Sequence, residues 1–174
     1  FFNGELWERK WTKKEFPLLL TTYKAQLRSP YSVSFERNRE NAPQNFMQMH
    51  EETAVTFGLK SGDSIRIVSG NGVPAEGILQ ADKLVAKGAV CVVHGFGHTA
   101  YGASDVVIDG KKLSRLKGAS GGIAINRVIP HDPTRKGKVS MLSDYWVEAT
   151  CRAGISVRVE KIGLFSNKPQ LLGY

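Results

Sequence analysis

Glycine punctuation limits this chain more than any other feature. From Met49 onward, apolar segments are cut short again and again, at Gly58, Gly62, Gly70-Asn71-Gly72, Lys87-Gly88, Asp109-Gly110 and Gly118 to Gly122. Glycine costs about 1 kcal/mol in a helix interior and readily adopts the positive φ of tight turns, so long helices are excluded there. What stands between the turns has strand character. Ser64 to Ser69 alternates, with Ile65 and Ile67 on one face, and Val73 to Gln80 returns after the Asn-Gly turn as the second arm of a hairpin. Ala89 to Val93, Val106 to Ile108 and Val147 to Ala149 add short strands. In the stretch Ile155 to Ile162, Ile155, Val157 and Val159 alternate with Ser156, Arg158 and Glu160.

The flanking segments are less regular. Residues 1–20 form a lead-in segment, and Pro17 to Tyr23 contains a short strand rich in apolar and hydroxyl residues. Arg28 to Gln48 carries Pro30 and Pro43 and keeps no period, which predicts a long loop. One helix is expected within Met49 to Gly58, with Glu51 and Glu52 at its start, Ala54, Val55 and Phe57 as its buried face, and Gly58 ending it. Ile123-Ala124-Ile125 reads as a short strand closed by Asn126. Many short strands with one or two short helices predict a mainly β fold, a closed barrel rather than a helical or βαβ architecture.

A length of 174 residues fits one domain with a true core. No apolar run approaches the roughly 20 residues that cross a bilayer as a helix, so direct membrane insertion is not expected. The chain opens on Phe1-Phe2 rather than methionine and reads as a piece of a longer polypeptide. The balance of 24 Lys+Arg against 16 Asp+Glu gives +8, which favours anionic partners. A solvated basic surface explains the same surplus, which includes Lys10, Lys13, Lys14, Lys24, Arg28, Arg37, Arg39 and the stretch Lys111 to Lys117. Cys91 and Cys151 lack metal-ligand spacing; Cys91, inside an apolar run, is expected to be a buried small hydrophobe.

The segment Ala89 to Gly102 concentrates the chemistry. An apolar strand ends abruptly in His94-Gly95-Phe96-Gly97-His98, the form of a ligand-holding loop at a sheet's rim. His94 and His98 have the spacing of helical zinc ligands, but Gly95 and Gly97 between them make a helix untenable. No Gly-x-Ser-x-Gly elbow is present, and Gly118-Ala119-Ser120-Gly121-Gly122 lacks the Lys-Ser/Thr of a phosphate loop. Asn126 fits two roles, a reader of a heterocycle edge and a turn cap. Thr21, Thr22, Ser29, Tyr31 and Ser32 line a polar site or are exposed loop hydroxyls, and Asp144-Tyr145-Trp146 stacks on a ring or anchors the core.

The order of these features resembles the C-terminal cofactor-binding domain of the molybdenum and tungsten oxidoreductases of the dimethyl sulfoxide reductase family. The resemblance rests on the Thr21-Thr22 lead-in, the Ser-rich loop, Gly58-Leu59-Lys60-Ser61-Gly62-Asp63, the hairpin, Lys87-Gly88-Ala89-Val90, the HGFGH loop, and Asn126 ahead of Asp132-Pro133. Within the family, Tyr23 to Met49, HGFGH and Asp144-Tyr145-Trp146…Cys151 look most like the tetrathionate reductase large-subunit branch. Arsenate, selenate and polysulfide or thiosulfate reductases are the neighbouring alternatives. Ser32-Val33-Ser34 departs from the Ser-Arg-Thr-like stretch of commoner members.

The resemblance implies a double-psi β-barrel covering one side of bis(molybdopterin guanine dinucleotide) with Mo or W. Its contacts carry over to Thr21, Thr22, Tyr23, Ser29, Tyr31, Ser32, His94, Gly95, Phe96, Gly97, His98 and Asn126. It places the metal ligand and the iron–sulfur cluster in earlier domains of the parent subunit, so no catalytic or metal-ligating residue is expected here and this piece alone is expected to be inactive. It further implies an iron–sulfur electron-transfer subunit, a membrane anchor subunit and work on the periplasmic side. From another class, a small basic β-barrel binding single-stranded nucleic acid shares the positive charge, but no RNP-like or zinc-knuckle motif accompanies it. A stand-alone acid–base enzyme using His94, His98 or His131 lacks a placeable carboxylate or nucleophile.

Overall fold

The structure, a computed structural model, describes residues 13–29, 32, 35–99, 103, 105–114, 116, 118–131 and 149–162. Six strands close into a barrel in the order β1 (Leu18–Tyr23), β5 (Ala89–Val93), β2 (Met47–Met49), β4 (Pro74–Ala81), β3 (Ser64–Ser69) and β8 (Ala153–Lys161). β6 (Val106–Ile108) and β7 (Lys111–Leu113) form a separate hairpin, turned at Asp109 and Gly110 with φ of 49° and 76°. Among the described residues, two short helices, α1 (Glu36–Asn41) and α2 (Glu51–Thr56), and a 3-10 turn at Ile125–Val128 accompany the strands. The fold is a mainly β closed barrel of six strands, as the short-strand pattern leads one to expect and in agreement with the double-psi barrel that the resemblance implies.

Strand direction follows from the pairings. β1 pairs parallel with β5, and β2 parallel with β4; the remaining contacts, β2–β5, β3–β4, β3–β8 and β1–β8, are antiparallel. β1, β5 and β3 therefore end at the same mouth of the barrel, where β2, β4 and β8 begin. Alternation supplies the core: Leu20, Met47, Ile65, Ile67, Val90 and Val92 are fully buried. Leu18, Ile155 and Val157 extend the same apolar interior.

Several elements depart from the expectations of local pattern. Within the expected loop Arg28 to Gln48 the chain forms both α1 and β2. Neither has a periodic signature: Arg39 is the buried residue of α1, and β2 is three residues held between β4 and β5. Their partners lie far along the chain, which no local pattern reports. On α2 the buried residues are Thr53 and Ala54, with Leu59 beyond, while Val55 and Phe57 are exposed. Its start is capped by His50, whose Nδ1 accepts from Glu52 N at 3.1 Å.

The segment read as a strand closed by Asn126 instead runs into the 3-10 turn, where Ala124 O accepts from Arg127 N and Asn126 O from Ile129 N, both at 3.2 Å, and the carbonyls that follow are taken by side chains. Asn71 Nδ2 donates to Arg127 O and Ile129 O at 2.9 and 3.2 Å, and Ser69 Oγ donates to Val128 O. Cys91 and Cys151 form no disulfide, and Cys91 is half-buried on the outward face of β5 rather than in the core. Asp144-Tyr145-Trp146 and the greater part of the strand expected at Val147 to Ala149 lie outside the described residues.

Ile67, buried where β3 pairs with β4 and β8, is a direct test of this core. Ile67→Ala is expected to cost about 2–5 kcal/mol in urea denaturation of the chain. Val107→Ala on the exposed hairpin is expected to stay within about 0.5 kcal/mol.

Candidate functional site

The mouth where β1, β5 and β3 end brings together some of the sequence-predicted residues, Thr22 and His94 above all. Thr22 pairs with Val92, and Tyr23 with Val93, in the parallel ladder. That ladder runs one step further, with His94 N donating to Tyr23 O at 3.0 Å. His94 continues the buried alternation Val90, Val92, so its ring enters the barrel mouth and is 7% exposed. Thr22 Oγ1 and His94 Nδ1 are both buried and without a hydrogen-bond partner. Burial, with the charges of Arg152 and Lys24, holds the His94 imidazole below the ordinary histidine range, so it is neutral at pH 7.

The loop after His94 turns back on itself through Gly95 and Gly97, with φ of 90° and 65°. His98 Nε2 lies 3.1 Å from Gly95 O, a contact inside the loop. Gly97 N donates to Gly121 O at 3.0 Å. A Cβ on Gly97 would stand 2.3 Å from Ala124 N, so only glycine permits this approach of two backbones. The 118–124 segment, set aside as a phosphate loop, thus serves as the bed of the His-Gly-Phe-Gly-His loop.

Asn45 holds the two together, a role that no motif announces. Its Nδ2 donates to Val93 O at 2.6 Å and Ile123 O at 3.2 Å, while its Oδ1 accepts from Ile123 N at 2.6 Å. A buried asparagine spanning two distant backbone segments has no sequence signature beyond its position before a strand. Asn126, three residues beyond Ile123, is exposed on the 3-10 turn.

The hydroxyl residues divide. Ser29 and Ser32 fold a local turn: Ser29 N donates to Ser32 Oγ at 2.7 Å and Ser32 N to Ser29 Oγ at 3.2 Å. Tyr23 reaches outward, where its Oη donates to Gln48 Oε1; burial raises its pKa above the ordinary tyrosine value. Thr21 is half-buried beside the irregularity that shifts the β1–β8 register after Leu20. Tyr31 lies outside the described residues.

Two arginines counted as basic surface are buried instead. Arg39 is 6% exposed and Arg28 0%. Phe96, itself buried, lies against the Arg28 guanidinium with 4.5 Å from Cζ to the ring centroid. Arg28 Nε, Nη1 and Nη2 have no hydrogen-bond partner. Among the described residues, no group of three or more His, Cys, Asp and Glu is placed to hold a metal ion.

A site of buried unpaired donors, glycine-shaped backbone and positive charge suits an anionic, hydrogen-bonding ligand. Residues 18–141 match the model of the molydopterin dinucleotide binding domain. The chain belongs to this family. It is 28% identical over 151 residues to a tetrathionate reductase subunit of Salmonella typhimurium LT2, covering 85% of this chain and 14% of that protein. In fold it is similar to acetylene hydratase from Pelobacter acetylenicus, with a TM-score of 0.56 and 18% identity over 91% of this chain and 20% of that one. The chain thus spans only a small part of each relative's length.

A molybdopterin dinucleotide fits the mouth on this structure's own terms. The orphaned buried atoms of Thr22, Arg28 and His94 suit a ligand rich in oxygen and nitrogen, and Gly95 and Gly97 let the backbone come close. Gly97→Ala is expected to lower stability by about 1–3 kcal/mol and to reduce dinucleotide retention, measured by denaturation and by cofactor content. Acid sensitivity should also trace to His94. The unfolded chain takes up this proton at pH ~6.5 and the folded chain only at lower pH. Stability is therefore unaffected above that value, falls as pH drops through it, and levels off below the folded pKa. His94→Gln is expected to remove that component from a series of denaturation midpoints between about pH 7.5 and 5.

Proposed function

We propose that this domain closes one side of a bis(molybdopterin guanine dinucleotide) site in the catalytic subunit of a molybdenum or tungsten oxidoreductase that reduces tetrathionate. The observation that carries the reading is the barrel mouth: buried, unpartnered Thr22 Oγ1 and His94 Nδ1 at the ends of two paired parallel strands, followed by a loop turned at Gly95 and Gly97. The likeness to the tetrathionate reductase subunit over 85% of the chain supports the choice of substrate.

In this reading Thr22 and neutral His94 orient the pterin end through hydrogen bonds. Gly95, Phe96 and Gly97 shape the backbone against it, and exposed Asn126 meets a heterocycle edge with paired donor and acceptor. The bound cofactor supplies the redox chemistry at its metal. Reduction of tetrathionate consumes two electrons, breaks one sulfur–sulfur bond and yields two thiosulfates. This domain's part is to bind, orient and exclude water. The metal ligand and an iron–sulfur cluster belong to other domains of the parent subunit, electrons arrive through an iron–sulfur partner subunit, and a membrane anchor holds the complex on the periplasmic side.

The full-length subunit, loaded with cofactor, is expected to oxidise a reduced dye with tetrathionate, and the 174-residue chain to show no turnover. Asn126→Ala is expected to lower retained dinucleotide several-fold while moving the denaturation midpoint by less than about 0.5 kcal/mol, because the side chain is exposed. A fully loaded subunit that leaves tetrathionate unreduced overturns the substrate assignment.

A further inference from the structure

Arg28 stands out because nothing described in the fold neutralises it. Its side chain is 0% exposed, and all three guanidinium nitrogens lack a hydrogen-bond partner. Arginine stays protonated in proteins and carries five N–H donors in a planar fork. A buried cation without a counter-charge is strongly unfavourable, so a fold keeps one only where something else completes it. The contact with Phe96 attracts the cation but satisfies no N–H group.

The surroundings sharpen the imbalance. The charge acting on Arg28 comes from Arg39, and the charges acting on His94 come from Arg152 and Lys24, all cationic. Desolvation, followed by Arg39, pushes the Arg28 pKa down from its ordinary value. Its position is nonetheless well determined. Phe96 belongs to the loop locked by the Gly97 N to Gly121 O bond, and a Cβ on Gly122 would meet Phe96 Cβ at 3.1 Å. The guanidinium thus rests against a fixed ring of the His-Gly-Phe-Gly-His loop, two residues beyond His94, whose Nδ1 is also buried and unpartnered.

We propose that Arg28, braced by Phe96, is the receptor for a tetrahedral oxyanion beside the His-Gly-Phe-Gly-His loop. Two sources share that chemistry: a phosphate of the bound dinucleotide and a sulfonate end of tetrathionate. The inference rests on the dinucleotide-binding reading and adds to it a charged residue that neither the motifs nor the resemblance singled out. A planar fork accepts two oxygens of such a group side by side, which an ammonium does not.

The test uses the full-length subunit with Arg28→Met and Arg28→Lys. Retained dinucleotide is quantified as GMP released by acid hydrolysis, and KM and kcat for tetrathionate are read with a reduced dye as donor. The subunit purified without cofactor gives the melting temperature. Arg28→Met is expected to melt at or above the wild-type temperature in the cofactor-free form, because it removes an unpartnered buried charge. For a phosphate source, released GMP falls about tenfold or more. For a sulfonate source, GMP is retained and KM for tetrathionate rises about tenfold or more with kcat little changed. Arg28→Lys falls between, keeping the charge without the fork.

Wild-type GMP content together with wild-type KM in Arg28→Met overturns the proposal. So does a cofactor-free Arg28→Met subunit that melts several degrees lower, whatever its GMP content, since that assigns Arg28 to packing. Failure of the substrate reading is distinct: the wild-type subunit then holds dinucleotide but does not reduce tetrathionate, and the phosphate arm is read as before.

Discussion

Two strands running side by side in the same direction deliver their ends to one place, and β1 and β5 do so although a long stretch of chain separates them. A hairpin cannot make this pairing; the chain must cross over, form β2, α2 and the β3–β4 hairpin, and return. Everything at the mouth depends on that return. The ladder carries Thr22 beside Val92 and ends with His94 bonded to Tyr23, so the two buried, unpartnered side chains come from strands that meet only in the closed barrel. Closure by β8, which pairs with both β1 and β3, removes the free edges such a sheet would otherwise present.

The two ends of the barrel treat charge differently. Away from the mouth, charged groups are paired near the surface: Asp63 Oδ2 accepts from Lys161 Nζ at 2.8 Å and from Lys60 N at 3.0 Å, and Lys87 pairs with Glu52. Those partners hold the Asp63 and Glu52 carboxyls below the ordinary carboxylate range. At the mouth His94 is kept neutral, and against the loop that follows it Arg28 is buried without a described hydrogen-bond partner. Ordinary folding would fill or expose such groups. Under the proposed function, keeping them trades stability of the empty domain for a site already arranged for its ligand.

Much of the barrel was legible in the sequence because its strands are short, alternating and closed by glycine. The β3–β4 hairpin is local: Asn71 Oδ1 accepts from Val73 N at 2.8 Å, and Gly72 takes the positive φ of 76° that the turn needs. The strand-end loop was also visible, since glycines at 95 and 97 force a turn as soon as the apolar run ends. α1 and β2 escaped because neither carries a period of its own. Arg28 escaped for another reason. Close to Lys24 and in a polar stretch it looks like any surface cation, and only tertiary packing, with Phe96 against its guanidinium, takes it out of water.

By itself, the sequence determined which segments turn and which alternate, and so the class of fold and the place where the strand Ala89–Val93 gives way to a glycine-turned loop. These are local matters, set by glycine's access to positive φ and by the two-residue period of a strand. Tertiary structure alone decided which buried groups would lack partners. Whether a guanidinium is solvated or sealed, whether Asn126 ends a strand or rides a 3-10 turn, and whether Asn45 ties Val93 to Ile123 all depend on chain segments far apart in sequence. Hydrogen-bond satisfaction and desolvation are properties of that closed assembly, and no single segment carries them.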